Sequence, residues 1–134
     1  IVGKAMPEGS GEDSVSFLPA LSGDPIVSSR AGVIHHSVSG HFAYRQGPWK
    51  LALAKASGGW TSPTEKQAAS DVPKAQLFHM TDDLGETSNQ YLTQPEIAAS
   101  LLKQLKEDIR RGRSTDGPAA KNDITKIKLW KSEK

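Results

Sequence analysis

The stretch from His41 to Ala54 constrains the fold more than any other part of the chain. Side chains alternate along a strand, so Phe42 and Tyr44 share one face while Ala43 and Arg45 share the other. Trp49, Leu51 and Leu53 then form a matching apolar row. Gln46-Gly47 reads as the turn of a β-hairpin, because a two-residue loop needs a positive φ that glycine accepts without strain. Pro48 brings no donor to a ladder, which predicts a bulge beside the turn and an outward edge for this arm.

Around the hairpin the pattern predicts further elements. Ser14 to Leu21, with Val15, Phe17, Leu18 and Leu21, reads as about one helical turn before the Gly23-Asp24-Pro25 turn signal. Val33 to Val38, between Gly32 and Gly40, reads as a first strand. Its His35 and His36 point to opposite faces and cannot chelate one metal together, so one is solvated or domain-facing and the other partly buried. Lys55 to Val72 is a long polar connection carrying Ser57-Gly58-Gly59, Trp60 and a short helical patch near Glu65 to Ala69. Ala75 to Thr81 reads as a fourth strand, with Leu77 and His79 on one face and Phe78 and Met80 on the other. Asp82-Asp83-Leu84-Gly85-Glu86 reads as a turn capped by its own Asp side chains rather than as a calcium loop.

The strongest helical signal runs from Thr93 to Arg111. Ile97, Leu101, Leu105 and Ile109, with Leu102, form one apolar stripe opposite Lys103, Lys106, Glu107 and Arg110. Thr93-Gln94-Pro95-Glu96 has the form of a capping box, with Leu92 placed to staple onto Ile97. Gly112 is placed to end the helix in a left-handed cap, and Arg110 and Arg111 suit its carbonyl end. The fold expected is α+β: roughly four antiparallel strands with this one C-terminal helix packed across a face. From Ser114 the chain becomes polar and lysine-rich. Alternation over Asp123 to Trp130 admits an edge strand there, although no clean apolar face persists along it.

Several pieces taken together resemble the C-terminal region of bacterial arylsulfatases. They are His35-His36-Ser37, Gly40, Phe42-Ala43-Tyr44-Arg45, Gly47, Trp49-Lys50-Leu51 and Ser57-Gly58-Gly59-Trp60. Asp13 to Gly23 is similar to the segment by which those enzymes leave their catalytic domain. Gln76-Leu77-Phe78 followed by Asp82 to Asn89 is similar to their strand and turn before a final helix. The resemblance covers roughly residues 1 to 113, in the family's order. It implies a catalytic domain before Ile1, with Ile1 to Gly11 as the end of one of that domain's helices and its exit loop. It divides the chain into an exit segment and linker (1–30), a sulfatase C-terminal α+β domain (31–113) and a tail (114–134). It is compatible with a periplasmic or secreted parent.

The same resemblance implies what this chain lacks. Sulfatases need a Cys or Ser within Cys/Ser-x-Pro-x-Arg, oxidised to formylglycine. There is no cysteine here, and Thr61-Ser62-Pro63-Thr64-Glu65 has Thr and Glu where the nucleophile precursor and Arg belong. Calcium and formylglycine are therefore implied for the catalytic domain and no cofactor for these residues. The implied partners are that catalytic domain and, through the whole enzyme, a sulfate-ester substrate. The substrate-contact candidates are His36, His41 and Trp60: imidazole donates to sulfate or hydroxyl oxygens, indole offers a stacking face, and nearby glycines let the backbone fold tightly. The simpler alternative for each is packing at the domain junction.

A second reading is a free-standing carbohydrate-binding module using Trp60, His36, His41 and Arg45. Nucleic acid finds little support, since 17 Lys and Arg against 15 Asp and Glu leave a net charge of only +2. No apolar run approaches the ~20 residues of a membrane span.

Overall fold

A computed structural model describes residues 3–7, 9–27 and 30–131. The helix end expected at Ile1 and Val2 lies outside them. The order is α1 (Leu18–Leu21), β1 (Val33–His36), β2 (Phe42–Gln46), β3 (Trp49–Ala52), β4 (Gln76–His79) and α2 (Pro95–Arg111). The four strands form one antiparallel sheet in the order β1-β2-β3-β4, and α2 packs across β2 and β3. The expected α+β architecture is the one observed. No helix among the described residues is long and apolar enough to cross a membrane.

The hairpin forms in a register one residue on from that expected. Gln46 pairs with Trp49, so the loop is Gly47-Pro48, with Gly47 at φ +55. Proline tolerates this place because its missing N–H falls in the loop, where the ladder needs no donor. No bulge is required. The outward edge is corrected too: β3 lies inside the sheet, and Pro48 O accepts a 2.6 Å hydrogen bond from Met80 N. The exposed edge of β4 is met by the chain itself. Asn89 Oδ1 accepts from Leu77 N at 3.0 Å, and Gln90 N donates to Leu77 O at 2.8 Å. A short edge covered in this way offers little template for pairing with another chain.

Tyr44, Leu51 and Leu77 lie side by side across three strands and face α2. Leu53 and Ala75 extend this layer, and Ala98, Leu101 and Leu105 close it from the helix side. The buried stripe of α2 is Ala98, Leu101, Leu105 and Asp108, while Ile97, Leu102 and Ile109 flank it half-buried. A carboxylate thus occupies the core-facing place that hydrophobic periodicity gave to Ile109. Tyr44 Oη donates to Asp108 Oδ2 at 3.0 Å, and Gln104 Nε2 donates to Asp108 Oδ1 at 3.0 Å. Burial first, then the hydrogen bond to Asp108 and its charge, push the Tyr44 hydroxyl pKa well above the usual phenol value.

The start of α2 differs from the expected capping box. Gln94 is the N-cap, without a side-chain cap, and Leu92 is 72% exposed and staples nothing. The cause is a preceding turn, in which the amides of Thr93 and Gln94 both bond to Gln90 O. That turn draws the Thr93 hydroxyl back to the same carbonyl, at 3.2 Å. Pro95 and Glu96 still suit the first turn, where no amide partner is needed and the helix dipole favours an acid. At the other end Gly112 takes the left-handed cap at φ +66, as expected. The chain then turns so sharply that a Cβ there would lie 2.3 Å from Ala120 O.

The stretch from 123 to 130 does not form the edge strand that its alternation admits. Leu129 and Trp130 pack against the core instead, and Asn122 Nδ2 donates to Ile109 O at 2.7 Å. The helical turn expected near Leu21 is α1. Phe17, Leu18 and Leu21 on and beside it are exposed.

Leu105 is fully buried, and burial of such a side chain contributes ~1.5 to 3 kcal/mol. Leu105→Asp should therefore abolish cooperative thermal unfolding followed by circular dichroism, whereas Lys106→Ala, on the solvated face, should shift the midpoint by about a degree at most. A parent-like melt for Leu105→Asp would show that α2 is not docked through this residue.

Candidate functional site

The sheet has a second face, opposite α2. By alternation His35, Ala43, Lys50, Ala52, Gln76 and Phe78 point to it. Two segments wall it: the connection after β3, at 55–63, and the turn after β4, at Gly85-Glu86. Together they leave a cleft of about 700 Å³.

Glu65 fixes the first wall. Its Oε2 accepts from Lys55 N at 3.0 Å, and its Oε1 accepts from Ala56 N at 2.8 Å and Gly58 N at 3.1 Å. One carboxylate thus gathers three backbone amides, which a loop without secondary structure would otherwise leave to solvent. Gln76 Nε2 ties the same loop to β4 through Ala54 O at 3.1 Å and Ala56 O at 2.6 Å. The helical patch expected at Glu65 to Ala69 reduces to a turn in which Gln67 N and Ala68 N bond to Thr64 O.

The second wall is the turn after β4. Asp83 Oδ1 accepts from the Thr87 amide and hydroxyl, both at 2.9 Å, and its Oδ2 accepts from Ser88 N at 2.9 Å. The amides of Thr87 and Ser88 hold the Asp83 carboxyl below the usual carboxylate range. The turn read from the sequence is the one formed. It carries Glu86 at φ +54 and aims its carboxylate at Lys50, with Nζ and Oε1 2.6 Å apart.

The three candidates read from the sequence do not occupy equivalent places. His36 and His41 line this cleft. His41 is tied down, with Nδ1 3.1 Å from Leu53 O and its amide donating to Ser37 Oγ at 3.1 Å. His36 is exposed and packs edge-on to Phe42, ring centroids 4.2 Å apart. Trp60 is 84% exposed and does not line the cleft.

Sequence reasoning passed over His35, Lys50, Glu86, Glu65 and Gln76. For His35 and Lys50 the signal was present in strand alternation. For Glu65 and Glu86 there was none, because their partners are brought near only by the folded loops. Chemically the cleft offers a half-buried imidazole, an ammonium–carboxylate pair and an amide around small residues, a set that hydrogen-bonds polar ligands. Among the described residues no three His, Cys, Asp or Glu side chains gather as a metal site.

Comparison with solved structures gives likenesses of fold. A sulfatase of Bacteroides thetaiotaomicron, from a core genetic locus for the metabolism of multiple glycosaminoglycans, superposes with a TM-score of 0.60 at 22% identity. The match covers 80% of this chain and 22% of that one, so this chain spans roughly a fifth of the sulfatase's length. No family model and no curated protein matches.

His35 supplies a test of the cleft's electrostatics. Burial first, and then the Lys50 cation, lower its pKa from 6.5. The folded state therefore holds the neutral ring and the unfolded state accepts the proton more readily. The stability this contributes is full above about pH 6.5 and is lost as pH falls toward the lower folded value. The urea midpoint should fall between pH 7 and pH 5, and His35→Gln should flatten that fall. An unchanged pH slope in His35→Gln would place the titration elsewhere.

Proposed function

We propose that this chain is the C-terminal subdomain of a sulfuric-ester hydrolase of the arylsulfatase kind. In this reading its role is structural, it helps to shape the substrate entrance of the whole enzyme, and it is inactive alone. The observation that carries the reading is the likeness of fold, which takes in most of this chain but only about a fifth of a sulfatase. The motif order from Asp13 to Asn89 supports it. So do Phe17, Leu18, Leu21 and Ile26, a run of exposed apolar residues at the end from which a catalytic domain would extend. The nucleophile, the calcium site and the chemistry of ester cleavage belong to that domain.

His36 and His41 stand at the rim of the sheet-face cleft, and these side chains together with Trp60 are the proposed contacts to the organic part of the substrate. The runner-up, a free-standing carbohydrate-binding module, draws on one specific observation: Trp60 presents an open indole face on a loop held by Glu65. The coding sequence upstream of Ile1 separates the two. An open frame containing Cys/Ser-x-Pro-x-Arg supports the subdomain, and a start codon or signal sequence just before Ile1 overturns it.

The purified chain should release no nitrophenol from nitrophenyl sulfate above background, with or without calcium. Turnover that survives repurification would refute the reading. In the complete enzyme, Trp60→Ala and His41→Ala should raise KM for a large sulfated substrate several-fold while leaving a small aryl sulfate nearly unchanged. Equal losses on both substrates, with a lowered melting temperature, would assign these side chains to packing.

A further inference from the structure

The tail after α2 stays with the body of the protein. Ala120 N donates to Arg111 O at 2.8 Å, Asn122 holds Ile109 O, Trp130 packs on the core, and Lys74 Nζ lies 4.9 Å from the centre of the Trp130 ring. This path sets Lys126, Lys128 and Lys131 along an open cleft of about 700 Å³ between the end of α2 and the β1–β2 edge. Arg113 lines the same cleft; its Nη1 donates to Pro118 O at 3.1 Å and its Nη2 to Thr115 Oγ1 at 3.0 Å, while its buried Nε has no hydrogen-bond partner.

Two carboxylates also line it, and both are engaged. Asp13 Oδ1 accepts from Ser114 N at 2.7 Å and from Ser114 Oγ at 2.6 Å, while Asp108 is taken by Tyr44 and Gln104. None of the three lysines has an ion-pair partner among the described residues. Four cationic side chains thus face a cleft that also holds two carboxylates hydrogen-bonded to neutral groups, and this excess of cations over anions draws anions from solution. Between them lie Ile34, Phe42, Ile109, Ile124 and Ile127. An ordinary solvated lysine run has no such apolar lining.

We infer that this cleft is a binding site for a small polyanion in which several sulfate or phosphate groups are carried on a compact ring. The ring lies against the isoleucines and Phe42, while Lys126, Lys128 and Lys131 take the anionic oxygens in charge-assisted hydrogen bonds and the Arg113 guanidinium, held by Pro118 O and Thr115 Oγ1, adds its charge. The site adjoins the sheet-face cleft across His36 and Phe42, which line both. It does not depend on the sulfatase-related reading, because its readout is binding to this chain and not turnover.

Isothermal calorimetry at 100 mM salt tests it with four probes: sucrose octasulfate, inositol hexakisphosphate, inorganic sulfate and a short DNA duplex. The expected result is one-to-one binding of at least one of the two ring polyanions, and the tighter of the pair identifies the source as sulfate or phosphate ester. Lys126→Ala/Lys128→Ala should weaken that binding at least tenfold. Lys103→Ala/Lys106→Ala, on the solvated face of α2, should change it less than twofold. Methyl shifts of Ile109, Ile124 and Ile127 on titration provide a second measurement that needs no variant. The inference is overturned if neither ring polyanion binds, if both double variants weaken binding equally, or if the isoleucine methyls stay unmoved. It is overturned as well if inorganic sulfate or the duplex binds as tightly as the ring polyanions, which would mean simple charge attraction.

Discussion

The contact between Tyr44 and Asp108 decides how the two layers of this protein sit on each other. Tyr44 is wholly buried at the centre of the sheet, and its hydroxyl reaches an Asp108 carboxylate that is itself 2% exposed. Leaving such a carboxylate without its donors would cost several kcal/mol, so helix rotation and helix height are fixed together. Apolar packing alone tolerates some sliding of a stripe over a sheet. The hydrogen bond does not. Gly32 completes the arrangement: a Cβ there would come within 2.5 Å of Tyr44 Cζ, so the strand entering β1 can pass the ring only as glycine.

The same residue links the helix to both ends of the chain. Asp108 O accepts from Arg113 N at 3.2 Å as the helix closes at Gly112, which brings Ser114 and Thr115, both buried, against the incoming segment. There Asp13 caps Ser114, and the Thr115 hydroxyl donates to Glu12 O. Residues about a hundred positions apart are joined through polar bonds rather than through a shared apolar core. Such bonds hold a strap in place while leaving its own apolar side chains, among them Phe17 and Leu21, outward.

On the opposite face, rigidity comes from carboxylates and amides acting as substitutes for secondary structure. Glu65 gathers three amides, Asp83 accepts from Thr87 and Ser88, Asn89 completes the edge of β4, and Gln76 ties the long connection to the sheet. A cleft walled by such loops keeps its shape through polar bonds in its walls, over a floor that includes Ala43, Ala52 and Phe78. That suits a surface meant to hold polar groups in place, and it is consistent with the proposed role beside a substrate entrance.

The class of the fold follows from local pattern alone. Alternation in Phe42 to Leu53 and in Gln76 to His79, and the helical stripe through Leu101 and Leu105, required a sheet with one helix laid across it, because each apolar row needed the other. Gly112 was legible as a helix stop because only one backbone conformation there suits glycine so well. Where polar groups far apart in sequence come together depends instead on the folded arrangement. Strand alternation could not tell a Gln46-Gly47 loop from a Gly47-Pro48 loop, since the choice rests on how β4 pairs with Pro48 and Trp49. The cap at Thr93 was lost to a turn whose carbonyl, on Gln90, competes for the same hydroxyl. The alternation of Ile124 to Trp130 promised a strand, but the stretch stands across a cleft from β1 without pairing to it, and Trp130 packs against the core instead. Asp108 in the core, Glu65 among its amides and the pairing of Glu86 with Lys50 carry no local signature. Periodicity reports which side chains avoid water, whereas a hydrogen bond between distant residues exists only once the chain has closed around it.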